Sequence, residues 1–260
     1  MALFNRRPKN EGGMGFLETR STRLATVYLP LGVFLFVLLF PFYWMAVTTF
    51  KNKDELYDFK RFNPFFTLHP TLDNIKKLLF DTQYPEWLWN TMLVSFVSTF
   101  VSLGCAVMAA YAIERLRFRG SKYTGMSIFL AYLIPFCTWL LMGYFRTIPY
   151  ELEECALIDG ATRWQILVKI VLPLAVPGLI SAGIFAFTLS WNEFIYALTF
   201  ISSSEVKTVP VGVVTELVEG DVYHWGSLMA GALFGSLPVA ILYSFFVEHY
   251  VAGMTGAVKE

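Results

Sequence analysis

At 260 residues, with 56% hydrophobic, 17% aromatic and only 15% charged side chains, the chain carries far less charge than the roughly one quarter usual in a soluble domain; it reads as an integral membrane protein. Lys and Arg total 20 and Asp and Glu total 20, and this zero formal charge, with no strongly basic face evident, argues against nucleic acid as a partner. Cys105, Cys137 and Cys155 lie in apolar or helical sequence without C-x-x-C spacing, and His69, His224 and His249 are isolated, so neither a disulfide framework nor a metal site is expected.

In chain order, residues 1–23 are polar, with Arg6, Arg7, Lys9, Arg20 and Arg23 against Glu11 and Glu18, which marks a cytoplasmic N-terminal segment. Leu24 to Phe50 is long enough to span the hydrocarbon and lacks a small-residue cleavage site, so it is expected to be a retained helix. Pro30 and Pro41 fall near its ends, and Phe42-Tyr43-Trp44 suits an interfacial belt. Residues 51–86, mixed in charge, fit an external loop. Asn90 to Ile113 is a second span whose Gly104, Ala106, Ala109, Ala110 and Ala112 allow close helix contact. Arg115, Arg117, Arg119 and Lys122, against Glu114 alone, then mark a cytoplasmic loop, and Tyr123 to Tyr144 is a third apolar run.

Residues 147–173 form a long polar island between segments that read as membrane and are expected to make two short helices. Thr147 can cap the first, Pro149 suits its first turn, and Glu151, Glu153 and Glu154 lie where the helix dipole favours acids. Gly160 should end that helix in a turn needing positive φ or close backbone approach. Thr162 and Gln165 spell a capping box for the second, and Leu172-Pro173 closes it. Such a helix-Gly-helix hook on a membrane surface is a docking element.

Ala175 to Ile201 is the next span, interrupted by Pro177 and by Trp191-Asn192-Glu193. Polar groups at membrane depth are usually turned toward a cavity or the bundle interior. These three residues are therefore candidates for a translocation path, while a purely structural role, Asn192 bonding a neighbouring helix and Glu193 reaching the outer interface, stays open. Residues 202–225 carry Glu205, Glu216, Glu219 and Asp221 against Lys207 alone and fit the outer side. Trp225 to about Val247 is the last span and contains Gly231-x-x-x-Gly235, a close-packing signal. His249 to Glu260 follows as a cytoplasmic tail. No phosphate loop, H-E-x-x-H pair or nucleophile with a base is present, so ATP, if used, is handled by another chain.

The spacing Glu154-Cys155-Ala156, three residues, Gly160, nine residues, Ile170, one residue, Leu172-Pro173 resembles the EAA loop of ABC importer permeases, departing only where Cys155 replaces the first alanine. Ile158-Asp159-Gly160-Ala161, Trp191-Asn192, Thr208-Val209-Pro210-Val211-Gly212 and the run from Gly253 to Lys259 resemble the maltose-type, carbohydrate branch of that family. The resemblance covers almost the whole chain. It implies an all-α polytopic bundle, with a transmembrane permease domain at 24–252, the coupling loop at 147–173 and a cytoplasmic tail at 253–260. It further implies a sugar-importing subunit of the prokaryotic inner membrane, both ends inside, working with a second permease, two ATPase subunits and an extracytoplasmic sugar-binding protein. The chain itself would bind no cofactor, ATP and Mg belonging to the ATPases. Glu154, Cys155, Ala156, Asp159, Gly160, Leu172 and Pro173 would couple to the ATPases, and the tail would approach them. Trp191, Asn192 and Glu193 would face the substrate path.

Such permeases have a core of six spans, and five apolar runs are visible. If the hook is cytoplasmic, both sides of Tyr123 to Tyr144 are cytoplasmic, yet its length supplies one crossing. A stretch is therefore expected to be absent near Ala131 to Pro135, a short re-entrant hairpin being the rival. An ion-coupled secondary transporter is the alternative function, but it needs paired buried ionisable groups and inverted repeats, and only Glu193 is a candidate carboxylate.

Overall fold

The computed structural model describes residues 24–57, 63, 65–116, 133–219 and 222–256. A π-helical turn, Leu24–Tyr28, leads into α1, Leu29–Thr49. Pro30 sits at its start, as fixed φ and a missing N–H favour, but Pro41 lies inside the helix rather than near its end. Leu29, Phe34, Phe36, Val37 and Leu39 are all exposed. A helix apolar on every side belongs in a membrane or against other apolar protein surface rather than in water.

Short helices α2, Lys53–Tyr57, and α3, Asp73–Phe80, follow. Helix α4, Tyr84–Tyr111, runs into a π-turn, Ala112–Leu116. Together they make a 33-residue apolar helix, about 50 Å at 1.5 Å per residue, so both ends project beyond hydrocarbon about 30 Å thick. The run Tyr123 to Tyr144 is described only as α5, Leu133–Thr147. The join expected near Ala131 to Pro135 begins outside the described residues.

The polar island forms α6, Glu151–Ile158, and α7, Arg163–Ile166, continued by a π-turn at Leu167–Val171 and by α8, Leu172–Leu174. At Ala175 the chain turns by 81° into α9, Val176–Trp191. Beyond it come α10, Ile195–Phe200; a 3-10 turn, Ser204–Val206; α11, Val209–Glu216; and the two-residue strands β1, Val218–Glu219, and β2, Val222–Tyr223. The strands pair antiparallel, Val218 opposite Tyr223. Helix α12, Trp225–Gly256, completes the chain. It continues through residues 253–256, so no break separates the expected tail from the last span.

Three described helices are long and apolar enough to cross a membrane, or four if the pair bent at Ala175 is one span. The third apolar run, Tyr123 to Tyr144, lies partly outside the described residues, and the other four runs read from the sequence coincide with these helices. Within the all-α bundle, α4 packs against α5 and α9, and α12 against α1 and α9. The fully buried Ala106 and Ala110 of α4 let it approach Cys137, Leu141 and Phe145 of α5 in the core at the hook end. A second core at the far end joins Leu78, Tyr84, Trp87, Val209, Val213 and Leu217. There the Gly231-x-x-x-Gly235 face of α12 meets α11. A Cβ on Gly231 would lie 3.2 Å from Val213 and one on Gly235 3.1 Å from Val209. The bared backbone is used too, for Gly231 O accepts the Tyr84 hydroxyl at 2.8 Å.

Candidate functional site

The hook keeps the two-helix form expected of it, with one change at its start. Thr147 is the last residue of α5 and its hydroxyl donates to Tyr144 O at 2.8 Å, so it does not cap α6; Tyr150 holds that position without a side-chain cap. At the other end of α6 the Ala161 N–H reaches Ala156 O at 2.9 Å and the Gly160 N–H reaches Leu157 O at 3.1 Å. These paired bonds satisfy the last carbonyls and place Gly160 in the left-handed region, φ 81°. No atom lies within 4 Å of where a Cβ would stand on Gly160. Conformation, not crowding, therefore selects glycine there. The Thr162–Gln165 capping box forms as read, with Thr162 N donating to Gln165 Oε1 at 2.8 Å and Gln165 N to Thr162 Oγ1 at 3.3 Å.

Glu154, Cys155, Asp159 and Gly160 are exposed on the hook, whereas Ala156 is half-buried against the core. Beside the exposed group stand two large apolar side chains, Ile158 at 86% and Trp164 at 64% exposure. At the far end of the hook Leu172 is half-buried and Pro173 exposed.

The inner face is held by a buried charge cluster that the sequence reading did not assemble. Glu153 is fully buried. Arg115 Nε lies 3.1 Å from its Oε1, and Arg163 Nη1 lies 3.9 Å from Oε2. The Tyr111 hydroxyl donates to Oε2 at 3.4 Å. The same Arg115 donates from Nη2 to Phe145 O and, at 2.8 Å, to Ile148 O, with its guanidinium 5.7 Å from the Tyr150 ring centroid. Glu153 and Arg115 together thus tie the end of the α4 helix, the end of α5 and both hook helices. Arg115 had read as an orientation charge and Glu153 as a dipole complement. Glu153 stands one position before the Glu154 motif residue, about 100° around the helix, and no local signal in the sequence links it to Arg115.

Trp191, Asn192 and Glu193 end α9. Trp191 is buried, stacked on Phe187 with centroids 5.5 Å apart, and donates its indole N–H to Gly235 O at 3.1 Å. The Asn192 amide donates to Thr188 O at 2.8 Å in its own helix. Both residues line a cavity of about 550 Å³ with Phe42, Pro210, Val214 and Tyr243, among others. Glu193 is not among its lining; its carboxylate accepts the Tyr196 and Ala197 N–H groups at 2.7 and 2.9 Å and so starts α10. The carboxylate considered for ion coupling is spent on a helix cap. Cys155 is exposed, Cys137 buried and Cys105 intermediate.

With this geometry in place, the sequence matches over residues 20–256 the family described as binding-protein-dependent transport system inner membrane component. The chain belongs to that family. It is 32% identical to the inner membrane ABC transporter permease protein YcjP of Escherichia coli (strain K12), over 278 aligned positions covering 89% of this chain and 95% of that protein. It is 30% identical to the trehalose/maltose transport system permease protein MalG of Thermococcus litoralis, over 280 positions covering 92% and 99%, and 33% identical to the sulfoquinovosyl glycerol transport system permease protein SmoH of Agrobacterium fabrum, covering 85% and 89%. A chain of the crystal structure of a bacterial ABC transporter that imports the acidic polysaccharide alginate shares the fold, with a TM-score of 0.77 at 21% identity, covering 89% of this chain and 98% of that one. The same transporter type in complex with an alginate pentasaccharide-bound periplasmic protein gives a TM-score of 0.62 at 14% identity. The chain is accordingly a multi-pass inner-membrane permease.

Proposed function

We propose that this chain is one transmembrane half of an ATP-driven sugar importer. The observation that carries the reading is the hook, whose Ile158 and Trp164 project an apolar face outward while Glu153 is fastened inward. Exposed apolar patches of this kind mark protein partners. Relatives whose names specify trehalose or maltose and sulfoquinovosyl glycerol support a sugar as the cargo.

In this reading residues 24–252 form the permease domain and 147–173 the coupling loop, with 1–23 and 253–260 on the cytoplasmic side. Glu154, Cys155, Ala156, Asp159, Gly160, Leu172 and Pro173 shape the surface that seats in an ATPase subunit. Two such subunits hydrolyse ATP with Mg, and this chain holds no cofactor. A second permease completes the bundle, and an extracytoplasmic binding protein delivers sugar, as the alginate system's complex suggests. ATP-driven closure of the ATPases moves the hook, and through the Arg115–Glu153 cluster it moves α4 and α5, opening the cavity at Trp191 and Asn192 toward the binding protein. The chain gates and does not catalyse.

Co-purification with an ATPase, followed by sugar uptake into proteoliposomes with ATP supplied on the ATPase side, tests the reading. Uptake driven by an ion gradient without ATP would overturn it.

A further inference from the structure

We propose that a pocket at the end of the bundle opposite the hook binds the phosphodiester headgroup of an anionic membrane phospholipid. The pocket has a volume of about 180 Å³ and lies between α2, α3 and the first turn of α12, where Lys53, Tyr57, Asn74, Lys77, His224 and Ser227 line it. One water occupies about 30 Å³ of liquid volume, so the space suits a phosphate with part of its glycerol.

The lining is rich in hydrogen-bond donors, two of them lysine ammonium groups. Lys77 Nζ lies 3.3 Å from His224 Nδ1. An ammonium can only donate, so Nδ1 accepts, and the neutral ring then carries its proton on Nε2 as a further donor. Lys77 retains N–H groups beyond that one bond, and the exposed Lys53 brings its own ammonium. Among the described residues, no carboxylate stands within ion-pairing distance of Lys53, Lys77 or His224. The pocket is also firmly built. The Asn74 amide donates to Thr49 O at 3.0 Å and Lys51 O at 2.8 Å, Ser227 donates to Asn74 O at 3.4 Å, and the Tyr57 hydroxyl donates to Tyr223 O at 2.5 Å. Gly226 makes this closure possible, since a Cβ there would stand 2.3 Å from the Asn74 amide.

Position selects the source of the anion. By length and composition, Thr49 ends one helix able to span the membrane and Trp225 begins another, which puts the pocket close to the membrane boundary. Trp225 stacks on Tyr223 with centroids 5.2 Å apart, the aromatic pairing expected at that level. Leu72, Leu79 and Phe80 of α3 are exposed beside it and offer apolar contact to the glycerol and upper acyl carbons. Lipid tethered in the plane presents phosphate at high local concentration, and a net anionic headgroup avoids placing a lipid ammonium against the lysines.

The test is native mass spectrometry of the detergent-purified transport complex titrated with phosphatidylglycerol. Lys53→Gln combined with Lys77→Gln should weaken retention of one phosphatidylglycerol per complex about tenfold, as expected for lost charge-assisted bonds, and Lys53→Glu, at an exposed position, should do the same without disturbing the fold. Thermal melting checks that the complexes stay assembled. Unchanged retention overturns the proposal. So does displacement of the lipid by inorganic phosphate at equal concentration, which would make this a small-anion site. Retained lipid with weakened capture of an extracytoplasmic binding protein also overturns it, because the pocket would then take a protein carboxylate.

Discussion

Replacing Glu153 by Gln tests whether the hook drives the bundle through the buried charge cluster. The substitution keeps the side-chain volume but removes the charge facing Arg115 at 3.1 Å. Arg115 keeps its bonds to Phe145 O and Ile148 O, so the loss falls on the link to the hook. Leaving one member of a buried pair uncompensated costs about 3–5 kcal/mol. At the lower figure, the balance between fastened and released hook shifts on the order of a hundredfold. Arg163 is half exposed and lies 3.9 Å away, where water screens it, so it does not restore the link. In proteoliposomes, sugar transported per ATP hydrolysed should fall at least about tenfold for Glu153→Gln while ATP hydrolysis persists. Arg115→Met should do likewise. The double variant should be less impaired than the sum of the two, since it removes both charges instead of stranding one. Unchanged coupling in Glu153→Gln, with the complex assembled, would refute the reasoning. Full additivity in the double variant would show that the two residues act independently.

Gly160→Val forces a β-branched residue to φ 81°, a strain of about 1–2 kcal/mol; it should uncouple hydrolysis from uptake, whereas Gly160→Asn, tolerant of that conformation, should retain most transport. Trp191→Phe keeps the ring against Phe187 but loses the bond to Gly235 O, so a moderate fall in uptake is expected, and Asn192→Leu should raise the sugar concentration needed for half-maximal uptake if that residue faces cargo in the cavity. Lys207 beside Glu216, with the Ser204 hydroxyl, holds the Glu216 carboxyl below its ordinary value. Because the folded pKa is depressed, the contribution is full above the unfolded pKa of about 4.3 and is lost as pH falls through the folded value; Glu216→Gln should make melting temperature less sensitive to pH below about 4.3, and an identical acid limb in both proteins would contradict this.

What could be read from the sequence depended on whether the signal was local. Gly160 and the Thr162–Gln165 box are written in consecutive residues, and both take the expected geometry. The apolar runs announced membrane spans, and the family resemblance implied the all-α bundle that they form. The Thr147 cap failed because a preceding helix consumed that residue, something a local reading cannot see. For Glu193 the sequence left a path-facing and a structural role both open, because its hydrogen-bond partners are the backbone N–H groups of the next short helix, which leave no trace in side-chain pattern. Arg115 and Glu153 are far apart in sequence and meet only through packing of α4, α5 and the hook. Charge at a membrane boundary suggests orientation first, and the buried pairing of Arg115 is visible only once the chain is packed.

The path from α4 to α5 can be argued from the same cluster. Arg115 at the end of α4 bonds Phe145 O and Ile148 O at the end of α5, so those two ends lie on one side of the membrane. Whatever joins them must leave that side and return. The described part of that path, α5, has 15 residues, about 22 Å at 1.5 Å per residue, and the run Tyr123 to Tyr144 holds enough residues for one crossing of hydrocarbon about 30 Å thick, not two. The alignment with YcjP has 278 positions although only 89% of this chain enters it; that exceeds the whole 260-residue chain, so the relative carries residues with no counterpart here. A complete hairpin missing between Lys122 and Arg146 accounts for both facts, and about 20–40 further residues would build it. Trypsin cleaves after Lys122 and Arg146, so peptide mapping of the protein from its native source gives a direct reading. New peptides should appear between Tyr123 and Tyr144. A single peptide running unbroken from Tyr123 to Arg146 would mean that the chain is continuous and that a re-entrant hairpin, with its backbone groups paired inside the protein, makes the turn.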